Sequence, residues 1–405
     1  MTITEKASES AEGTHGPRDI KPYTPIARLT RPSSAAKFGI ERVAPVVGMT
    51  PTFIRRVVGP VNELSADDVV ALLEQDSFSE TFVPRSMVFE YLERDEAKVT
   101  RSPTATEGLV LGSARDVLPT LAESSVQTVV TSTPYWAMRI YEDMLADTWA
   151  DGETCPFGME QTPEAFIRHS VELLTLLAPA VKQAGSVWWN LGDTYNTRTQ
   201  IRGNASEALR AMRHGDGKGW HDHDARRYSA GHSFLKDGEQ SLIPTRIAER
   251  ASRTGWYVKS IITWGKAHSM PEPQKSRVSR ATEYIIHLSK QRTPDFYREA
   301  YLQTPARLGG RGPKETEKLS DSWLFAPSSG QGGHGAQFPI ALPGRCISVS
   351  SRPGDLVLDP FMGSGTTALA ATELNRRWLG FDVSETYLSA TKKRLSGAMG
   401  SLLDL

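Results

Sequence analysis

Cysteine is nearly absent: Cys155 and Cys346 are the two thiols among 405 residues. They share no paired spacing, so the chain is neither a disulfide scaffold nor a Cys-rich zinc protein, and a reducing cytoplasm is the expected compartment. Long apolar runs are missing as well. No segment is suited to span a bilayer, and the opening MTITEKASESAEG lacks the apolar core of a signal peptide, so no membrane partner is expected. Net charge is absent too, with 47 Lys and Arg against 47 Asp and Glu. There is no internal repeat, and nothing resembles a nuclease or an ATPase. What remains is a composition ordinary for a globular protein, 39% hydrophobic and 23% charged, in a chain long enough to bury a large core.

Neutrality hides segregation. Between Arg18 and Pro60 eight bases face two acids, from Val61 to Lys98 ten acids face three bases, and from Lys266 to Lys318 eleven bases face six acids. Such blocks let a neutral protein present a basic face to phosphates, although a solvated surface would look the same.

The first seventeen residues are small and polar and are expected to be disordered. Residues 21–60 read as a proline-containing basic arm, 65–75 as a helix opened by Ser65, Asp67 and Asp68, and 86–92 as a further short helix. This N-terminal extension is placed at 1–104, an α/β domain at 105–396 and a short tail at 397–405. In the α/β part, strands are expected at 109–111, 128–131, 186–191, 257–264, 283–289, 356–359 and 378–381. Thr162 and Pro163 open a helix whose apolar positions run to Val181 and which Gly185 closes. The alternation predicts a mostly parallel sheet with helices on both faces. Two stretches near 198–238 and 291–335 break the rhythm and read as long inserted loops.

The segment VLDPFMGSGTT, residues 357–367, reads as a strand ending in Asp359, a glycine turn at Gly363 and Gly365, and a helix opened by Thr366. The lysine of a phosphate-binding loop is missing. A strand-end aspartate without that lysine suits a ligand that carries a ribose but no phosphates, such as S-adenosyl-L-methionine. Asp382, ending the next strand, can accept from ribose hydroxyls.

With an earlier segment, TSTPYW at 131–136, this turn resembles the cofactor and catalytic motifs of DNA amino-methyltransferases, over roughly 109–395. The catalytic segment precedes the cofactor segment, the circularly permuted order of the beta group. The resemblance implies a Rossmann-like α/β fold of the S-adenosylmethionine-dependent type. It places Asp359, Pro360, Phe361, Gly363, Ser364, Gly365, Thr366 and Thr367 around the methionine end of the cofactor, and Phe338 and Pro339 over it. Ser113 stands where relatives usually carry an acid that reaches the adenine.

Catalysis falls to Ser132, Thr133, Pro134 and Tyr135. An exocyclic amino group is a poor nucleophile because its lone pair is conjugated with the base. Ser132 Oγ and the Thr133 carbonyl can accept its hydrogens and turn the lone pair towards the methyl group. Tyr135 can stack on a base flipped from the duplex, and positioning supplies most of the acceleration. Thr133 replaces the family's usual proline, which keeps the carbonyl but removes rigidity. Trp136, Lys266, Lys275, Arg277 and Arg280 are the DNA-contacting candidates, and Asn190 and Asp193 border either the base or a simple turn. No metal is expected, since the histidines of the first loop are irregularly spaced.

The implied partner is double-stranded DNA, with either a separate restriction nuclease or solitary epigenetic work. Ser132 in place of aspartate favours cytosine N4 as the target. Adenine N6, an RNA or protein amide, and an inactive DNA-binding relative remain open.

Overall fold

The computed structural model describes residues 35–47, 49–74, 89, 92–93, 106–136, 143–150, 153–160, 162–196, 199–201, 226–228, 235–236, 238–266, 276–325 and 338–403. Most of the expected 86–92 helix, most of the first inserted loop and Lys275 lie outside them.

The N-terminal part builds a small core of its own. Strand β1 (Lys37–Gly39) pairs antiparallel with β2 (Glu63–Ser65), and helices α1 (Ile40–Val47), α2 (Pro51–Val58) and α3 (Ala66–Glu74) surround them. Ser65 caps α3 as its sequence suggests: its Oγ accepts from Asp68 N, and Asp68 Oδ2 accepts from Ser65 N at 2.9 Å. Phe38, Ile54, Leu64 and Val69 fill the centre, and Ala150 joins them from the main domain.

The main domain is one eight-stranded mixed sheet. Its strands are β3 (Gly108–Leu111), β4 (Val126–Ser132), β7 (Val181–Leu191), β10 (Tyr257–Lys266), β11 (Thr282–Ser289), β12 (Ser322–Phe325), β13 (Leu356–Asp359) and β14 (Arg377–Asp382), in the order β12-β10-β11-β7-β4-β13-β14-β3. Two short hairpins stand outside it, β5 (Asp147–Thr148) with β6 (Thr154–Cys155), and β8 (Thr199–Ile201) with β9 (Arg226–Tyr228). Neighbours from β7 to β3 run parallel, whereas β11 is antiparallel to both β7 and β10.

Period-two alternation along these strands loads both faces. Val129, Trp189, Ile286 and Leu358 face one core, covered by α4 (Ala114–Val117), α5 (Pro163–Leu177) and α6 (Ile243–Arg253). Val130, Trp188, Ile285 and Val357 face the other, under α7 (Arg298–Gln303), α8 (Ala341–Ser350) and α9 (Thr366–Glu373). Helix α10 (Glu385–Leu403) packs Leu395 on Met362 and Ala368, and it continues to Leu403, into the region expected to be a tail. Among the described residues no helix is long and apolar enough to cross a membrane.

Two expectations need correction. Helix α5 ends at Leu177, just before Pro179, and Gly185 lies inside β7. A Cβ at Gly185 would sit 2.8 Å from the Gln127 carbonyl oxygen, so this glycine serves close strand pairing, not helix termination. The second inserted loop is not without structure: it carries α7, a 3-10 turn at Ala306–Leu308, and β12, which adds to the sheet edge beside β10.

Candidate active site

The two motif strands are immediate neighbours, with Val129 opposite Leu358. From β4 the chain builds the sheet towards β7, and from β13 it builds towards β14. The crevice outside their carboxyl ends is therefore the switch point at which open α/β sheets hold ligands.

Asp359 locks the two strands together. Its Oδ1 accepts from Thr131 Oγ1 at 2.7 Å and from Phe361 N at 3.0 Å, and its Oδ2 accepts from Thr367 Oγ1 at 2.6 Å. The side chain is 1% exposed, and burial pushes its carboxyl up to about 6 despite these donors. Asp359 and Thr367 are thus part of the buried frame of the turn and do not line its open side. Pro360, Gly365 and Thr366 are buried as well, while Phe361, Gly363 and Ser364 are partly exposed. Gly363 and Gly365 adopt φ of 52° and 80°, and a Cβ at Gly363 would meet only the Phe361 oxygen, at 4.0 Å.

Asp382 reaches back across the turn. Its Oδ2 accepts from Gly363 N at 2.8 Å and its Oδ1 from Ser384 N at 2.9 Å. Burial raises its pKa, and those backbone donors oppose the rise. Leu111, its partner across β14 and β3, is 57% exposed, an apolar surface beside an acid at the strand ends. Phe338 and Pro339, partly exposed, lead into α8.

Ser113 caps α4 and donates from Oγ to Asp147 Oδ1 at 3.0 Å. The Asp147 carboxylate of β5 thus stands beside the side chain at position 113. No sequence pattern marked Asp147.

At the end of β4, Ser132, Tyr135, Asn190 and Glu283 form one network. Tyr135 OH donates to Glu283 Oε2 at 2.5 Å, and Asn190 Nδ2 donates to Tyr135 OH at 2.8 Å and to Ser132 Oγ at 3.2 Å. Lys266 pairs with the other Glu283 oxygen, so the pocket's carboxylate is neutralised. Asn190 Oδ1 and Thr133 Oγ1 are buried with no hydrogen-bond partner among the described residues. The added N–H of Thr133 donates to the Asn190 carbonyl at 3.2 Å, which ties the loop down where a proline would have stiffened it.

Other candidates separate. Trp136, expected against DNA, is 1% exposed and donates its indole N–H to the Glu160 carbonyl at 2.9 Å, so it is a core residue behind the loop. Asp193 accepts from Leu242 N and Ile243 N and closes the start of α6, the turn role and not the base-facing one. Arg277 lies 3.7 Å over the Tyr195 ring, and Arg280 lies 5.2 Å from it and donates to the Asp193 carbonyl. Lys266 faces the pocket network. Burial raises the Cys155 thiol to about 12 and pushes Cys346 up further, so neither is a nucleophile.

The chain matches the DNA methylase family of N6 and N4 methyltransferases over residues 126–393. It is 30% identical over 295 residues to the type II methyltransferase M.SmaI of Serratia marcescens, covering 71% of this chain and 90% of that one. It is 31% identical over 316 residues to M.XycI of Xanthomonas campestris pv. cyanopsidis, covering 78% and 94%. A solved structure of a PvuII DNA methyltransferase, described as cytosine-N4-specific, aligns over 72% of this chain and 87% of its own, with TM-score 0.49 and 19% identity. The chain belongs to the DNA methylase family, as a beta-group amino-methyltransferase of DNA of the kind that modifies N4 of cytosine or N6 of adenine.

Proposed function

We propose that the protein methylates N4 of cytosine in double-stranded DNA, taking the base out of the duplex and transferring the methyl group directly. One observation carries this reading. At the end of β4 the half-buried Ser132 hydroxyl, held by the Asn190 amide nitrogen at 3.2 Å, stands next to the Thr133 carbonyl, so two neutral acceptors meet where an amino group must donate two hydrogens.

The cofactor is S-adenosyl-L-methionine, which supplies a methyl group on a sulfonium leaving group. The crevice fits it: open space over Gly363, a strand-end carboxylate at Asp382, exposed apolar Leu111, and Phe338 and Pro339 at the rim. Asp382 accepts the ribose hydroxyls with the lone pairs left by its two backbone donors, and Ser113 with Asp147 flanks the adenine. Ser132 Oγ and the Thr133 carbonyl hold the amino hydrogens and draw the nitrogen towards sp³ geometry, with the Asn190 amide fixing Ser132. Tyr135, fixed at its hydroxyl by Glu283 and Asn190, stacks on the flipped base, and Pro134 stiffens the loop. Arg277 and Arg280, gathered at the Tyr195 ring, neutralise phosphates, while Lys266 stays paired with Glu283 in the pocket. The neutral Ser132 acceptor favours the smaller base. The protein works in the cytoplasm, alone or beside a separate restriction nuclease.

Digesting modified DNA to nucleosides and separating them by mass spectrometry tests the base. N4-methylcytosine is expected; N6-methyladenine alone would overturn the base assignment and leave the direct transfer standing. Finding 5-methylcytosine would overturn the mechanism, because attack through carbon needs a thiolate that neither cysteine provides.

Two variants test the roles. Asp382→Ala should weaken cofactor binding by roughly 1.5–3 kcal/mol in calorimetry, the range for hydrogen bonds to a charged group. Unchanged affinity in that variant removes Asp382 from the binding site. Tyr135→Ala should lose about 1–3 kcal/mol of base-stabilising contact, read in kcat/KM, with cofactor affinity nearly intact. Tyr135→Phe keeps the ring and loses the hydroxyl's links to Glu283 and Asn190, so a Phe variant as impaired as the Ala variant argues against stacking.

A further inference from the structure

The hairpin of β5 and β6 is tied to α5 by side chains that the methyl transfer does not use. Glu153 and Cys155 are two positions apart in extended chain, which sends both side chains to one face. His169 meets that face from α5. A Glu153 carboxylate oxygen, Cys155 Sγ and a His169 ring nitrogen all lie within 4.8 Å of one another. Zinc held at its usual bond lengths sets tetrahedral oxygen, nitrogen and sulfur ligands roughly 3.3–3.6 Å apart, so a closure on the order of 1 Å separates this cluster from a coordination shell.

The surroundings are built to hold it. His169 is fully buried and its Nδ1 lies 3.1 Å from Glu160 Oε1, the carboxylate-to-imidazole contact that orients a ligating histidine. The other Glu160 oxygen is buried without a hydrogen-bond partner among the described residues. Trp149 stacks flat on the His169 ring, with centroids 4.2 Å apart and planes 7° apart. Its indole N–H donates to the Cys155 carbonyl, and its backbone N–H donates to the Glu153 carbonyl. One residue therefore fixes the backbone or ring of all three candidate ligands.

We propose that Glu153, Cys155 and His169 bind a single zinc ion through a carboxylate oxygen, the thiolate and Nε2, with Glu160 orienting the imidazole. A thiolate, an imidazole and one carboxylate suit zinc and do not suit magnesium or calcium. Binding displaces the thiol proton to solvent, and a water completes the shell. This runs against the sequence expectation of no metal. The ion is a clamp, not a participant in the reaction. It pins the hairpin to α5 just before Phe157, which lies 5.3 Å from Phe361, and before Gly158, whose Cβ position is 3.1 Å from Pro134 Cβ. Glu160 also holds Trp136 through its carbonyl. The wall behind both motifs is thereby steadied, whichever base is methylated.

The full chain, purified without chelator and dialysed against metal-free buffer, should carry about one equivalent of zinc per chain by plasma mass spectrometry. After stripping it should regain that equivalent and a higher thermal midpoint. Cobalt in place of zinc should give a thiolate charge-transfer band, which Cys155→Ser and His169→Gln abolish. Wild-type protein that takes up no zinc, or cobalt without the thiolate band, overturns the assignment with no variant needing to fold. Zinc retained in both folded variants overturns it too.

Discussion

Truncating Arg345 to alanine should cost about 3–5 kcal/mol of stability, the range for removing one partner of a buried ion pair. Arg345 has no exposed surface, and its guanidinium is bound bidentately to Glu315 at 2.7 and 2.8 Å, with further bonds to the Gly309 and Gly310 carbonyls. It also lies 4.5 Å from the Phe325 ring and 5.1 Å from Trp323, which adds cation–π attraction. The stretch before β12 thus closes around one cation on α8. Close approach is possible because Gly309 takes φ of 86° and a Cβ there would be 2.1 Å from the Ala341 oxygen.

Burial pushes the Glu315 carboxyl up, but the Arg345 fork and the Gly312 N–H outweigh it and hold the group below the usual carboxylate range. A depressed carboxyl stabilises the fold above its unfolded pKa, and that contribution is lost as pH falls through the folded one. Urea denaturation near neutral pH should show the full loss in Arg345→Ala, and the difference from wild type should narrow in acid. A loss under about 1 kcal/mol at neutral pH would mean that the site relaxes and rehydrates, contrary to this account.

Glu283→Ala should lower kcat/KM on the order of 10²-fold, the scale of a displacement of about 1 Å in a reacting group. Glu283 is a positioning residue: it anchors the Tyr135 hydroxyl, takes a weaker bond from Asn190 at 3.3 Å and holds Lys266. Without it, Tyr135 loses its tether, Asn190 can turn its amide away from Ser132, and Lys266 leaves an uncompensated charge in the pocket. Cofactor affinity should stay close to wild type, since Glu283 lies on β11, two strands from β4. Glu283→Gln can still accept from Tyr135 and should recover part of the loss. Equal defects in cofactor affinity and turnover would instead indicate general unfolding.

The glycine turn and TSTPYW were legible because each is a local run whose chemistry follows from adjacent residues. The central strands were legible for a similar reason, as short apolar runs bounded by turns. What escaped depends on register. Glu283 opens an apolar strand, and only its placement across β7 and β4 brings it to Tyr135. Asp147 reaches the Ser113 hydroxyl from 34 positions away, a contact that no local run announces. Trp136 was misplaced because a tryptophan beside a catalytic motif reads the same whether it faces solvent or core. Gly185 looked like a helix stop, when the strand packing that requires it involves Gln127, far away in sequence. Strand β12 was missed because four residues amid glycine, proline and charge carry little periodicity.

The bond from Thr131 to Asp359 joins residues 228 positions apart, and strand β3 pairs with β14 near the carboxyl end. On a ribosome adding about 5–20 residues per second, the catalytic strand emerges roughly 10–45 s before the strand that completes its crevice. The nascent protein therefore holds its catalytic strand without its cofactor turn for 228 positions of elongation. It becomes a methylating enzyme only when the last third of the message has been translated. A shortened translation product is inactive by construction, and a host cell gains no partial modification from unfinished chains.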